Sequence, residues 1–174
     1  KRLGALDPEK PAKSGTFEKH VQSVEQHFWQ TFNRYAAWKK KWYNKYLERG
    51  YFDTLTGFHE EGDFKRNEVC NHPVQGSAFH CLLWTIIQMN KWLVKNKMRS
   101  RVIGQIHDSM NSDVYLPELD DFLGKVHELV TVDLPKVWKW IIVPMEIETE
   151  IAPEGGTWFD KKEYIYTPGK KVTL

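Results

Sequence analysis

The sequence predicts an α+β fold that is mostly helical, with a small antiparallel sheet that includes a β-hairpin. Apolar residues recur at helical spacing over two long segments, residues 16–49 and 73–97. Between Arg101 and Leu116, two short runs with strand character flank the polar stretch His107-Asp108-Ser109. This is the pattern of a hairpin, and it puts the carboxylate of Asp108 at the bend.

Composition and charge limit the class of protein. A chain of 174 residues that is 41% hydrophobic and 14% aromatic predicts one cored domain. Residues 1–50 contain 11 Lys and Arg against 5 Asp and Glu, whereas residues 105–174 contain 7 against 13. A basic first half suits a polyanion and an acidic second half suits divalent cations, although solvated helix faces explain the same asymmetry. No run approaches the roughly 20 apolar residues of a membrane helix, and no signal peptide is recognisable. We therefore expect a cytoplasmic protein without a membrane partner.

The cysteines do not indicate a disulfide or a zinc site. Cys70 and Cys81 lie eleven residues apart, which favours a reducing compartment. Together with His72 and His80 they give poor spacing for tetrahedral ligands, so burial in the core is the better interpretation.

The order of elements follows from the apolar pattern. Residues 1–15 predict an extended lead-in. Thr16 is a candidate N-cap for one long helix, or two with a bend, that ends at Gly50 and carries exposed basic residues. The remaining predictions are a strand Tyr51–Leu55, a loop His59–Glu68, a buried helix with Pro73 near its first position that runs to about Lys97, the hairpin Arg101–Ile106 with Met110–Leu116, a helix from Pro117 to about Trp140 interrupted at Pro135, a strand Val143–Ile151, and a polar tail over 161–174.

Asp108 is the first candidate for chemistry. Phosphoryl transfer by magnesium needs carboxylates to hold the ions, with substrate phosphates and water completing the shell. A tight turn between strands would aim the Asp108 carboxylate rigidly into a cleft. The alternative is an aspartate chosen only because Asp tolerates turn geometry.

Asn71 and Gln75 are the second candidate. Residues four apart in a helix share a face, so two amides would point the same way and offer donors and acceptors. Such groups suit the DNA minor groove, where every base pair presents acceptors in nearly equivalent places. Gly76 permits close approach of a backbone. The alternative is an N-cap followed by a packing glycine.

These segments match a known family. Asn71-x-Pro-x-Gln-Gly-Ser followed by Gln105-Ile106-His107-Asp108 resembles the C-terminal palm and fingers portion of family A (polymerase I-like) DNA polymerases, of phage type or split. The turn Gly50-Tyr51-x-x-Thr54-Leu55-x-Gly57 and the segment from Val143-Pro144 to Gly156-Thr157-Trp158 are similar to further motifs of that family. The resemblance covers roughly residues 16–160, in the family's order.

The resemblance implies a palm-type sheet whose hairpin is catalytic. Asp108 would be a Mg²⁺ ligand in a two-metal site, and His107 and Gln105 would face the primer terminus. Asn71 and Gln75 would contact primer-template DNA, the enzyme would take dNTP substrates, and Lys65 and Arg66 would replace a DNA-contacting arginine that is Asn67 here.

The chain also departs from the family. Ser109 stands where Glu is usual, Phe58-His59 replaces an arginine-rich run, and His80 stands where Asp is common. Nothing resembles the strand that carries the second catalytic aspartate or the nucleotide-binding helix. We therefore expect an N-terminal polymerase portion, as a separate chain or missing segment, and no activity from this fragment alone.

Two other functions fit part of the pattern. A non-catalytic DNA-binding or assembly subunit derived from a polymerase is consistent with Ser109. A phosphohydrolase that uses His107-Asp108 as a metal-binding pair is disfavoured, because that family carries the pair on a helix.

Overall fold

The computed structural model describes residues 14–172, so the predicted lead-in lies outside the described residues except for its last two. The α-helices are α1 Phe17–Thr31, α2 Asn33–Arg49, α3 Arg66–Lys95, α4 Leu119–Glu128 and α5 Leu134–Val137. The strands are β1 Tyr51–Asp53, β2 His59–Glu61, β3 Arg101–Ile106, β4 Ser109–Asp113, β5 Thr149–Ile151 and β6 Lys162–Tyr164. They pair as three two-stranded sheets, β1 with β2, β3 with β4 and β5 with β6. The predicted fold class, α+β and mostly helical, is confirmed.

Contacts divide the described chain into two compact units where the sequence predicts one. The first unit contains residues 14–52 and 61–70, and the second contains residues 53–60 and 71–172. Each has its own hydrophobic cluster. The two clusters differ in composition: that of the first unit is largely aromatic, and that of the second is largely aliphatic.

The first unit is built on two consecutive helices. The Thr16 hydroxyl accepts the Lys19 N–H at 3.3 Å and caps α1, as predicted. Phe32 separates α1 from α2, and α2 ends at Gly50, which adopts the left-handed conformation that favours glycine. Tyr46, Phe52 and Val69 form the buried cluster of this unit. The two-helix version of the prediction is therefore the one observed.

The start of α3 corrects two predictions. The segment His59–Glu68 is not a loop throughout, because it contains β2 and the first residues of α3. Asn71 and Pro73 do not open the helix, because Pro73 lies inside it. An internal proline has no N–H for the carbonyl of residue i−4, here Val69. The indole Nε1 of Trp42 donates to that carbonyl at 2.9 Å, which explains how the helix continues through Pro73.

The core of the second unit forms between α3, the β3–β4 hairpin and α4. Met89, Leu93, Phe122 and Leu129 are buried there. Burial of α3 is nevertheless incomplete, since Val74 is 57% exposed and Ala78 is exposed as well. The prediction of a well-buried helix therefore applies to its second half and is wrong for the turn around Val74.

The C-terminal elements are shorter than the sequence suggests. A π-helical turn, Leu129–Asp133, precedes α5, and Pro135 lies at the start of α5, so the interruption occurs just before the proline instead of at it. The predicted strand Val143–Ile151 is mostly irregular, and only Thr149–Ile151 pairs, with a strand in the segment predicted as a polar tail. Pro144 cannot donate to a ladder, which explains why no pairing occurs around it. In residues 14–172, no helix is both long and apolar enough to cross a bilayer.

Candidate functional site

The β3–β4 hairpin has a two-residue tip, His107 and Asp108. Ile106 pairs with Ser109, and Gln105 pairs with Met110, so the strands are in register up to the tip. His107 has φ +52°, a left-handed conformation that costs about 1–2 kcal/mol for a residue with a side chain. The prediction of an aspartate at a hairpin bend is confirmed, and the second strand begins one residue earlier than expected.

Two side chains hold the tip in shape. The Ser109 hydroxyl donates to the Ile106 carbonyl at 2.8 Å, and the Gln105 amide nitrogen donates to the His107 carbonyl at 3.1 Å. The His107 carbonyl lies in the turn, outside the ladder, and the Gln105 amide gives it a donor. Gln105 and Ser109 therefore fix the backbone around Asp108, a structural role that the sequence did not predict.

The Asp108 side chain is exposed, and within residues 14–172 no hydrogen bond or ion pair engages its carboxylate. It lines a groove of about 1690 Å³ in the second unit. Other acidic residues line the same groove: Asp113, Glu146, Glu148, Glu150 and Glu154. Their summed charge exceeds that of Arg99, which also lines the groove, and favours cations there.

The ligand chemistry fits magnesium only in part. A carboxylate oxygen is the kind of ligand that Mg²⁺ prefers. In the described chain, however, no group of three or more His, Cys, Asp or Glu side chains is arranged to hold a metal ion. Asp108 can therefore supply one ligand to a shared site, and the remaining ligands must come from substrate, water or residues elsewhere.

Asn71 and Gln75 lie one turn apart on α3, both exposed, as the spacing predicts. Neither amide has a hydrogen-bond partner within the described residues. Their neighbours Val74, Ser77 and Ala78 line the groove that Asp108 also lines. The structure thus brings this turn of α3 and the hairpin tip to the walls of one groove.

A hydrogen-bonded network, which the sequence did not reveal, fastens the turn after β1 to α3. Ser77 accepts the Leu55 N–H at 3.1 Å through its hydroxyl, which itself donates to the Pro73 carbonyl. The Thr56 hydroxyl lies 2.6 Å from Nδ1 of His80. Burial lowers the pKa of His80, against an opposing effect of Glu60, so the ring is neutral near pH 7. This network sets the position of the turn that carries Gln75.

Phe58 reinforces that arrangement, because its ring stacks on His80 with centroids 3.7 Å apart and planes 17° apart. The Gly-Tyr-x-x-Thr-Leu-x-Gly motif is the sequence feature that could have indicated this arrangement. It contains Thr54, whose hydroxyl accepts the Phe58 N–H at 3.0 Å. Phe58 and His80, both departures from the family pattern, therefore contact each other.

Lys65 and Arg66, predicted to contact DNA, belong to the first unit and are exposed at the start of α3. The Lys65 N–H donates to Glu68 at 2.7 Å, and the Arg66 guanidinium lies 5.9 Å from the Tyr43 ring centroid. Both cysteines are buried and unpaired by disulfide, as predicted, and burial raises the pKa of the Cys81 thiol.

The chain is similar to known DNA polymerases. The model of the family described as DNA polymerase family A matches residues 12–159. DNA polymerase I of Lactococcus lactis subsp. cremoris (strain MG1363) is 28% identical over 99 residues, which is 57% of this chain and 10% of that protein. The DNA polymerase of Bacillus phage SP01 is 29% identical over 96 residues, 53% of this chain and 10% of that protein.

The chain thus spans about a tenth of the length of the curated relatives it matches. No solved structure gives a significant match. The family match covers most of the chain, including α1 to β5 and the hairpin with Asp108. The chain therefore belongs to DNA polymerase family A.

Proposed function

We propose that this chain supplies a metal-binding hairpin and a DNA-contacting helix to a DNA-directed DNA polymerase. The observation that carries the proposal is the Asp108 carboxylate, exposed and unpartnered in the described chain, on a two-residue tip that two side-chain hydrogen bonds hold in place. An aspartate needed only for turn geometry would more commonly bond to its own backbone.

In this function Asp108 would hold Mg²⁺ together with a carboxylate from an N-terminal portion of the polymerase. The ion would neutralise charge on the dNTP phosphates during nucleotidyl transfer. The chain's own part is to fix the carboxylate: Gln105 and Ser109 hold the tip at the wall of a groove whose acidic residues favour cations. His107, exposed beside Asp108, would face the primer terminus.

Asn71 and Gln75 would contact the minor groove of the primer-template duplex. Their amides are exposed on one face of α3, and unpaired amides can both donate to and accept from base edges. Minor-groove acceptors are nearly equivalent in all base pairs, so these contacts would test pair geometry without reading sequence. Lys65 and Arg66 would contribute phosphate contacts.

The test uses the polymerase assembled from this chain and the portion that supplies the second aspartate and the nucleotide-binding helix, here called the assembled polymerase. Asp108→Asn should reduce primer extension in Mg²⁺ by more than about 100-fold, because removal of a group one shell further from a metal already costs 10- to 100-fold. Asp113→Asn, a matched change on the same hairpin, should retain activity.

A second function is favoured by Ser109, whose hydroxyl is used in the turn where the family usually has a carboxylate. In that case the chain would be a non-catalytic DNA-binding or assembly subunit. Unchanged primer extension by the Asp108→Asn polymerase would support it and contradict the catalytic proposal. Ser109→Glu separates the two further: if a missing carboxylate limits metal binding, extension at low Mg²⁺ should rise.

A further inference from the structure

A second groove lies in the second unit, between α3 and the segment that runs from α4 to α5. Its volume is about 480 Å³, within the range of roughly 300–1,000 Å³ that is usual for ligand-binding clefts. We call it the basic groove, after the four lysines that line it: Lys91, Lys95, Lys125 and Lys136.

The charge of the basic groove is only partly balanced. Asp133 is the single acidic residue among the described residues that line it, and its carboxylate lies 2.9 Å from Lys136 Nζ. Lys125 is ion-paired at 2.7 Å with a glutamate that does not line the groove. Lys91 and Lys95 are exposed one turn apart on α3, and neither forms an ion pair with a described residue. The groove therefore favours an anionic ligand.

The floor of the basic groove is apolar. Trp84 and Trp92 are half-buried and pack against the core cluster of the second unit, and Leu129 belongs to that cluster. Val137 completes the floor and is 47% exposed. The indole nitrogens of both tryptophans have no hydrogen-bond partner within the described residues, so they can donate to a ligand. The core thus holds the floor in place and leaves an apolar surface open.

The π-helical turn Leu129–Asp133 forms part of the wall, since its first and last residues both line the basic groove. Such turns are rare and occur frequently at functional sites. The groove that contains Asp108 is acidic, so the second unit has two grooves of opposite charge.

We propose that the basic groove binds a short acidic peptide segment of a partner protein, in which a bulky apolar side chain lies between Asp or Glu residues. The apolar side chain would contact Trp84, Trp92 and Leu129 on the floor. The flanking carboxylates would pair with Lys91 and Lys95 at the rim. This interaction is independent of the metal site and the duplex contacts proposed above.

Charge and floor together select this ligand. A purely apolar partner would desolvate the lysines without pairing them. A nucleic acid would satisfy the lysines, but stacking of its bases needs free ring faces. Trp84 and Trp92 instead pack into the core, and the Trp84 ring meets Trp138 edge-on with centroids 6.2 Å apart. An acidic peptide with an apolar side chain uses the lysines and the floor at once.

The test is fluorescence anisotropy of the full 174-residue chain with a labelled peptide of aspartates and glutamates around one central phenylalanine. We expect saturable binding that weakens as salt is added, because the ion pairs lie at an exposed rim. The same peptide with serine in place of the phenylalanine should bind at least about tenfold more weakly, the lower end for burial of an aromatic side chain.

The lysines are tested by the double variant Lys91→Glu with Lys95→Glu, which should weaken peptide binding at least about tenfold, because the carboxylates then meet like charges. The matched control is Lys40→Glu with Lys41→Glu, which makes the same change of net charge at exposed positions of the first unit and should retain binding. Asp108→Asn should also retain it, which separates this proposal from the metal site. Circular dichroism shows whether each variant keeps its fold.

The proposal would be overturned if the intact chain did not bind the acidic peptide, or if the Lys91 and Lys95 double variant bound it as well as the intact chain does. Equal binding of the serine peptide would contradict a role for the apolar floor. Displacement of the peptide by oligo(dT) at a lower concentration than by unlabelled peptide would identify a nucleic-acid site instead. Self-association lost in the double variant, with peptide binding absent, would identify a second copy of the chain as the occupant and would also contradict the proposal.

Discussion

Two sets of polar side chains, one in each unit, are used in opposite ways. In the first unit, polar ends of aromatic residues complete the fold: Trp42 donates to the Val69 carbonyl, and the Tyr46 hydroxyl donates to the Gly62 carbonyl at 2.6 Å and accepts the Phe64 N–H at 2.8 Å. In the second unit, the polar groups of Asn71, Gln75 and Asp108 are exposed and have no partner within the described residues.

This difference separates stability from function. A buried polar group without a partner destabilises a fold, so the polar groups of the first core are paired. Exposed polar groups have no such need, and when they are held on a rigid helix or hairpin they remain available to a ligand. The comparison predicts that changes in the first set will lower stability and that changes in the second set will alter function alone.

Trp42→Phe should have the largest effect on stability. It keeps a ring but leaves the Val69 carbonyl without a donor, and Val69 is fully buried. We expect a loss of about 1–3 kcal/mol in the free energy of unfolding, the penalty for a buried unsatisfied group. Urea denaturation followed by circular dichroism measures it.

The matched control is Trp38→Phe, a change of the ring that stacks on Trp42 with centroids 5.9 Å apart. Its indole nitrogen has no hydrogen-bond partner within the described residues. A loss of stability as large in Trp38→Phe as in Trp42→Phe would show that ring packing, and not the hydrogen bond to the proline-containing helix, is what matters.

Gln75→Ala should have a smaller effect, and on function only. Loss of one hydrogen bond to DNA is expected to weaken primer-template binding by the assembled polymerase roughly three- to tenfold, irrespective of sequence. Stability should not change, because the amide is exposed. Asn90→Ala, an exposed amide about 22 Å further along α3, is the control. An effect confined to one base pair would contradict a minor-groove contact.

The smallest effect should come from the titration of His80. Burial lowers the pKa of His80 in the folded protein below the ordinary value of 6.5. The unfolded chain therefore binds a proton at this histidine more readily than the folded protein does. Stability contributed by the neutral ring is therefore complete above pH 6.5 and decreases as pH falls below it. Urea unfolding at pH 7.5 and 5.5 should show this decrease, and His80→Gln should reduce it. An identical pH dependence of stability in both proteins would contradict a contribution from His80.

Much of this architecture could be predicted from local signals. Thr16 and Gly50 bound the first helical segment, and the alternation around Asp108 predicts the hairpin, because caps and tight turns depend on neighbouring residues. The start of α3 could not be predicted, since the donor that stabilises a helix through Pro73 is Trp42, 27 residues from Val69. The role of His80 depends on Thr56, 24 residues away, and was missed for the same reason.

Replacement of Asp108 by cysteine tests most directly whether that carboxylate holds a catalytic metal. A thiolate binds soft cations such as Cd²⁺ far better than Mg²⁺. We predict that the Asp108→Cys assembled polymerase binds primer-template normally, does not extend it in Mg²⁺, and regains part of its extension when Cd²⁺ is added, relative to the unaltered polymerase under the same conditions. Extension that stays equally low with both metals, with DNA binding intact, would contradict a metal-ligand role for Asp108.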